Sequence, residues 1–102
     1  MLPGIWLHDK DFGPLHHGSF RSVTSVATNG DYASEITITR SNRTETSHIA
    51  GTWRVVGGCL IDTLTNSSGR ENLPFTTSQP IRRADESELV VGFGTSFRKV
   101  KQ

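Results

Sequence analysis

Cysteine is all but missing from this 102-residue chain, where Cys59 stands alone. One cysteine excludes an internal disulfide and any multi-cysteine zinc site. No apolar run reaches the roughly 20 residues that a membrane-spanning helix requires. A surplus of either charge sign is missing too: 11 Lys and Arg face 10 Asp and Glu, for a net charge of +1. That balance gives no electrostatic case for nucleic acid or an anionic membrane as the main partner. Helical periodicity is nowhere convincing. The start, Met1-Leu2-Pro3-Gly4-Ile5-Trp6, lacks the basic region and long apolar stretch of a signal peptide. The expected location is the cytoplasm, or export with a leader absent from this chain. The length fits a single domain, residues 1–102, with room for one compact core but not for a large cavity with thick walls.

What is present is alternation. Ile49, Gly51, Trp53 and Val55 interleave with Ala50, Thr52, Arg54 and Val56, the period-two pattern of a half-buried strand. Gly57-Gly58 tolerates the positive φ of a tight hairpin turn, and Cys59 to Thr65 returns as its partner. Earlier, Gly4 to His8 and Phe20 to Thr28 read as strands, the latter rich in Ser, Thr and Val. Asn29-Gly30 is the strongest two-residue hairpin signal, and Tyr32, Ser34, Ile36 and Ile38 then alternate with polar neighbours. Ser41-Asn42-Arg43 reads as a turn before a strand from about Thr44. Asn66 to Gln79 has no clear period and reads as a loop, with Leu73 and Phe75 docking back on the body. Pro80 to Ala84, Leu89 to Phe93 and Ser96 to Val100 complete about eight short antiparallel strands. A meander of that size is expected to close, or nearly close, into an all-β up-and-down barrel, which removes its exposed edges. A flat sandwich is the competing arrangement.

Three motifs carry a resemblance. They are the early Gly4-x-Trp6, the central Gly51-Thr52-Trp53-x-Val55 with its glycine turn and apolar return, and the terminal run from Ile81 through Asp85-Glu86-Ser87-Glu88-Leu89-Val90-Val91 to Phe97-Arg98. Together they resemble the small bacterial lipocalin-like domains. The resemblance implies a barrel in which Trp6 packs at the closed end beneath Arg98. Such a cation–π contact is worth about 0.5–2 kcal/mol. It also implies a shallow cup, because the chain is shorter than a full lipocalin and lacks that family's terminal helix and disulfide.

Few residues invite a chemical reading. His8, Asp9, Asp11, His16 and His17 lie close enough in sequence to meet a divalent metal, but they read better as solvated loop residues, and no metal site is expected. Serines are plentiful, yet no Gly-x-Ser-x-Gly elbow supports a catalytic triad. Cys59 has no cationic cluster beside it and reads as structural. Gly92-Phe93-Gly94 precedes no helix and makes no phosphate loop. Arg82, Arg83, Arg98, Lys99 and Lys101 read as a solvated basic face.

The apolar and aromatic set says more. Trp6, Phe20, Leu60, Leu89, Val91 and Phe97 are expected in the core. Tyr32, Ile36, Ile38, Trp53, Val55 and Phe93 are expected to line a ligand cup, with Tyr32 and Trp53 as amphipathic anchors. The expected function is non-enzymatic: a module that holds a small, partly apolar molecule, without a cofactor. The alternative is a protein-interaction or inhibitor barrel acting through loops or an edge strand. A homodimer is compatible with either.

Overall fold

The computed structural model of the protein describes residues 2–11, 18–40, 43–67 and 72–100. Eight strands run in chain order: β1 (Gly4–Asp11), β2 (Gly18–Val26), β3 (Asp31–Arg40), β4 (Arg43–Val56), β5 (Cys59–Ser67), β6 (Phe75–Ala84), β7 (Glu88–Val91) and β8 (Thr95–Val100). Each pairs antiparallel with the next, and β1 pairs with β8 over Ile5–Leu7 and Arg98–Val100 to close a barrel. This closure rules out the flat sandwich. No helix occurs among the described residues.

Local chemistry sets the corners. Gly57 and Gly58 adopt φ of 57° and 76°, the paired left-handed conformation of a two-residue hairpin, so Val56 faces Cys59 directly. The Asn29-Gly30 corner is wider than the two-residue turn expected. Ala27 N–H donates to the Asp31 carbonyl at 2.8 Å and spans the whole corner, while Asn29 Oδ1 accepts from Asp31 N–H at 3.0 Å. Between β6 and β7 the Asp85 carboxylate accepts from the backbone N–H groups of Ser87 and Glu88, both at 2.8 Å. Those bonds, the Ser87 hydroxyl and the nearby Arg83 hold the Asp85 carboxyl below its ordinary range.

The core fills one end of the barrel. Trp6, Val26, Tyr32, Trp53, Leu60, Leu89 and Val91 are buried there, with Leu2, Ile49, Ile81 and Phe97 packed against them. Gly51 makes this packing feasible. It follows a bulge after Ala50, and a Cβ at Gly51 would run into the Thr63 carbonyl and come within 3.0 Å of the Tyr32 ring. Trp6 is 1% exposed, and its Nε1 donates to the Leu2 carbonyl at 2.8 Å.

The cation over Trp6 is Lys99, with Nζ 5.5 Å from the ring centroid, and not Arg98. Strand parity is the reason. Lys99 stands opposite Trp6 and shares its inward face, whereas Arg98 stands opposite Leu7, points outward and reaches Asp9 at 3.2 Å. That surface pair is worth under about 1 kcal/mol.

Three further expectations change. β1 runs past the expected end at His8 to Asp11, and His8 has its ring inward instead of solvated. Part of the expected loop is strand, because β6 starts at Phe75. Its Phe75-Thr76-Thr77-Ser78-Gln79 sequence is uncharged but not visibly two-faced, and Pro80 disguises it. Pro80 is tolerated because its carbonyl, and hence its missing N–H, lies on the β7 side, where Gly92 N–H donates to that carbonyl at 2.9 Å. Above Pro80 that side of β6 has no strand partner among the described residues. The third change is at Phe93, which lies beyond the end of β7 in a turn. His16, His17, Ser41, Asn42, Lys101 and positions 68–71 of the expected loop lie outside the described residues.

Candidate functional site

A cavity of about 170 Å³ sits inside the barrel, next to the buried core. Its wall comes from six strands in sequence-dictated alternation. β2 contributes Phe20, Ser22 and Thr24; β3 contributes Tyr32, Ser34 and Ile36; Ile49 and Trp53 come from β4, His8 from β1, Asp62 from β5 and Phe97 from β8. The register places Ser22 opposite both His8 and Ile36, and Thr24 opposite Ser34.

Aromatic rings form a continuous ribbon that crosses the interior between β8 and β4. Phe20 meets His8 at 5.6 Å between centroids, His8 meets Phe97 at 5.3 Å, Phe97 meets Trp53 at 5.4 Å, and Trp53 meets Tyr32 at 5.5 Å. Edge and tilted contacts of this kind add about 0.5–1.5 kcal/mol each beyond burial. They hold the wall in place without filling the space.

Polar groups converge on the same space. Thr24 and Ser34 hydroxyls bond to each other at 2.9 Å in the buried wall. His8 Nδ1 lies 2.8 Å from the Ser96 carbonyl. A carbonyl only accepts, so Nδ1 carries the hydrogen, and Nε2 of the neutral ring is left as an acceptor. Tyr32 O–H donates to Asp62 Oδ1 at 2.7 Å. Burial, then the hydrogen bond and charge of Asp62, push the Tyr32 phenol well above its ordinary range.

One donor is left over. Trp53 is 4% exposed, and its Nε1 has no hydrogen-bond partner among the described residues. A buried N–H without an acceptor costs about 1–3 kcal/mol. That atom has almost no accessible surface, so the donor is sealed in the packing around the ring and does not open on the cavity.

The expected cup residues divide. Tyr32, Ile36 and Trp53 do line the cavity. Ile38 lies by a separate hollow with Arg40, Arg43 and Glu45, near the far end of β3. Val55 has inward parity but sits where the barrel has run out, and is 51% exposed. Phe93 is fully exposed, because the Gly92–Gly94 turn carries it outside the wall. His8, expected to be solvated, lines the cavity, as do Ser22, Thr24, Ser34, Ile49 and Asp62, for which the sequence predicts no site, and Phe20 and Phe97, expected in the core. Parity held the signal: Phe20 and Val26 bracket Ser22 and Thr24 on one face, and Leu60 and Leu64 bracket Asp62.

No metal-binding group of His, Cys, Asp and Glu forms among the described residues. A larger hollow of about 710 Å³ lies over Val23, Ala33, Glu35, His48 and Ala50. It is mostly outer surface, so the interior cavity is the stronger candidate. The chain matches no protein-family model and no curated protein.

Proposed function

We propose that the protein is a non-enzymatic binding module that holds one small, partly apolar molecule inside its barrel. The observation that carries this reading is one hollow lined both by the rings of Phe20, Tyr32, Trp53 and Phe97 and by the polar side chains of Ser22, Ser34 and Asp62. Ligand sites combine an apolar lining with a few placed polar groups, and this wall does so. Size limits the occupant. An apolar cavity of about 150 Å³ binds benzene, so a cavity of this size takes a single ring with short substituents. The up-and-down barrel is also the architecture that a lipocalin-like domain would have.

A catalytic reading has less support. His8 and Asp62 both face the cavity, but no serine or threonine hydroxyl and no cysteine thiol is hydrogen-bonded to either side chain among the described residues. A second reading, capture of an extended peptide, draws on the side of β6 over residues 76–79, which has no strand partner among the described residues.

The test is a thermal-shift screen of single-ring polar compounds, read alongside tryptophan fluorescence. A genuine occupant raises Tm and perturbs the emission of Trp53. Ser22→Leu, which fills the cavity, should abolish both effects. A screen in which no compound shifts Tm, or in which Ser22→Leu responds like the parent, overturns the interior site. Saturable binding of extended peptides by either protein would then favour the β6 side.

A further inference from the structure

Building on the interior-site reading, we infer the chemical class of the occupant: a small organic ammonium ion that carries an apolar ring. The juxtaposition of Asp62 and Trp53 carries this. They stand directly opposite each other on β5 and β4, and both line the cavity. Side chains at opposed positions start only about 5 Å apart.

Asp62 is the one carboxylate in the cavity wall, and no Lys or Arg shares that wall. Arg98 is held outside by Asp9, and Lys99 lies over Trp6 in the core. Tyr32 O–H donates to Oδ1 of Asp62, which leaves Oδ2 as the open acceptor of a negative group. The aromatic ribbon borders this carboxylate through Tyr32, and Trp53 and Phe97 follow at 5.5 and 5.4 Å. Ring faces attract a cation, and more strongly when water is excluded. An ammonium at Asp62 therefore gains both a charge-assisted bond and π faces.

The rings beside Asp62 set the second requirement, an apolar body on the ligand that packs against them. A neutral molecule leaves the Asp62 charge unanswered, and an anion is repelled by it. The ring of a single-ring ligand would then lie against Phe97, Phe20 and Ile36.

Three near-isosteric probes test this: 2-amino-1-phenylethanol, 1-phenyl-1,2-ethanediol and mandelate, which replace ammonium by hydroxyl and by carboxylate. Titration calorimetry should show the amino alcohol binding at least about tenfold more tightly than the diol, the size of a charge-assisted bond, with no binding of mandelate. Asp62→Asn keeps an acceptor for Tyr32 and should bring the amino alcohol to within about threefold of the diol. Equal binding of diol and amino alcohol, or a preference that survives Asp62→Asn, overturns the ammonium class while leaving the interior site standing. The comparison of probes on the parent protein needs no variant to fold. If none of the three binds, the ammonium class falls, and the wider thermal-shift screen decides separately on the site itself.

Discussion

Two aromatic residues in the same wall place opposite demands on the fold. Tyr32 is satisfied by Asp62, and the protein holds its proton more tightly than water does. A raised folded-state pKa contributes stability that is complete below the unfolded value of about 10 and is lost as pH rises above it, because the unfolded phenol ionises first. Tyr32 is the only tyrosine, so phenolate absorbance reports it alone. In an alkaline titration, ionisation should coincide with unfolding instead of preceding it. Tyr32→Phe should flatten the alkaline loss of stability. Trp53 is the reverse case, a donor that the protein leaves unanswered. Trp53→Phe discards that donor along with part of the ring, so the two effects offset. In urea melts it should change the stability of the free protein by less than about 1 kcal/mol, against about 3–5 kcal/mol for Trp53→Ala.

Among the elements, β4 bears the tightest constraint. Opposite its Ala50-Gly51 step β5 carries an extra residue, Thr65, and the bare Gly51 lets the Tyr32 ring pass close to the backbone. Gly51→Ala would press a methyl group against the Thr63 carbonyl, so β4 or β5 must shift. The expected cost is at least about 2 kcal/mol in a denaturant melt, with Tyr32 pulled off Asp62 and its phenol titrating earlier. This strand and its Gly57-Gly58 turn were the most legible part of the sequence, since alternation and a two-glycine corner leave few other structures. β6 was illegible for the opposite reason. Phe75, Thr77 and Gln79 face the interior side but share no hydrophobic character, and Pro80 interrupts the strand. The cup was half legible. Tyr32 and Trp53 announce themselves as large rings on inward positions, whereas Ser22, Thr24 and Asp62 do so only once the inward face of their strands is known. Val55 and Phe93 obey the alternation in sequence but fall where the wall has ended, and alternation carries no information about strand length.

As a whole the molecule is held unevenly around its circumference. β3 and β4 pair along all of Asp31–Arg40, while β1 and β8 share only Ile5–Leu7 with Arg98–Val100. Hydrogen exchange should therefore release the backbone amides of Leu7 and Arg98 well before those of Ser34 and Ile36. That short join has a use. His8 stands on one side of it and Phe97 on the other, both facing the cavity, and the His8–Ser96 bond spans it like a latch. Parting the latch would swing a door in the side of the barrel and lift Lys99 from the Trp6 ring. A guest admitted that way should bolt the door behind it and slow exchange at Leu7 and Arg98 more than anywhere else.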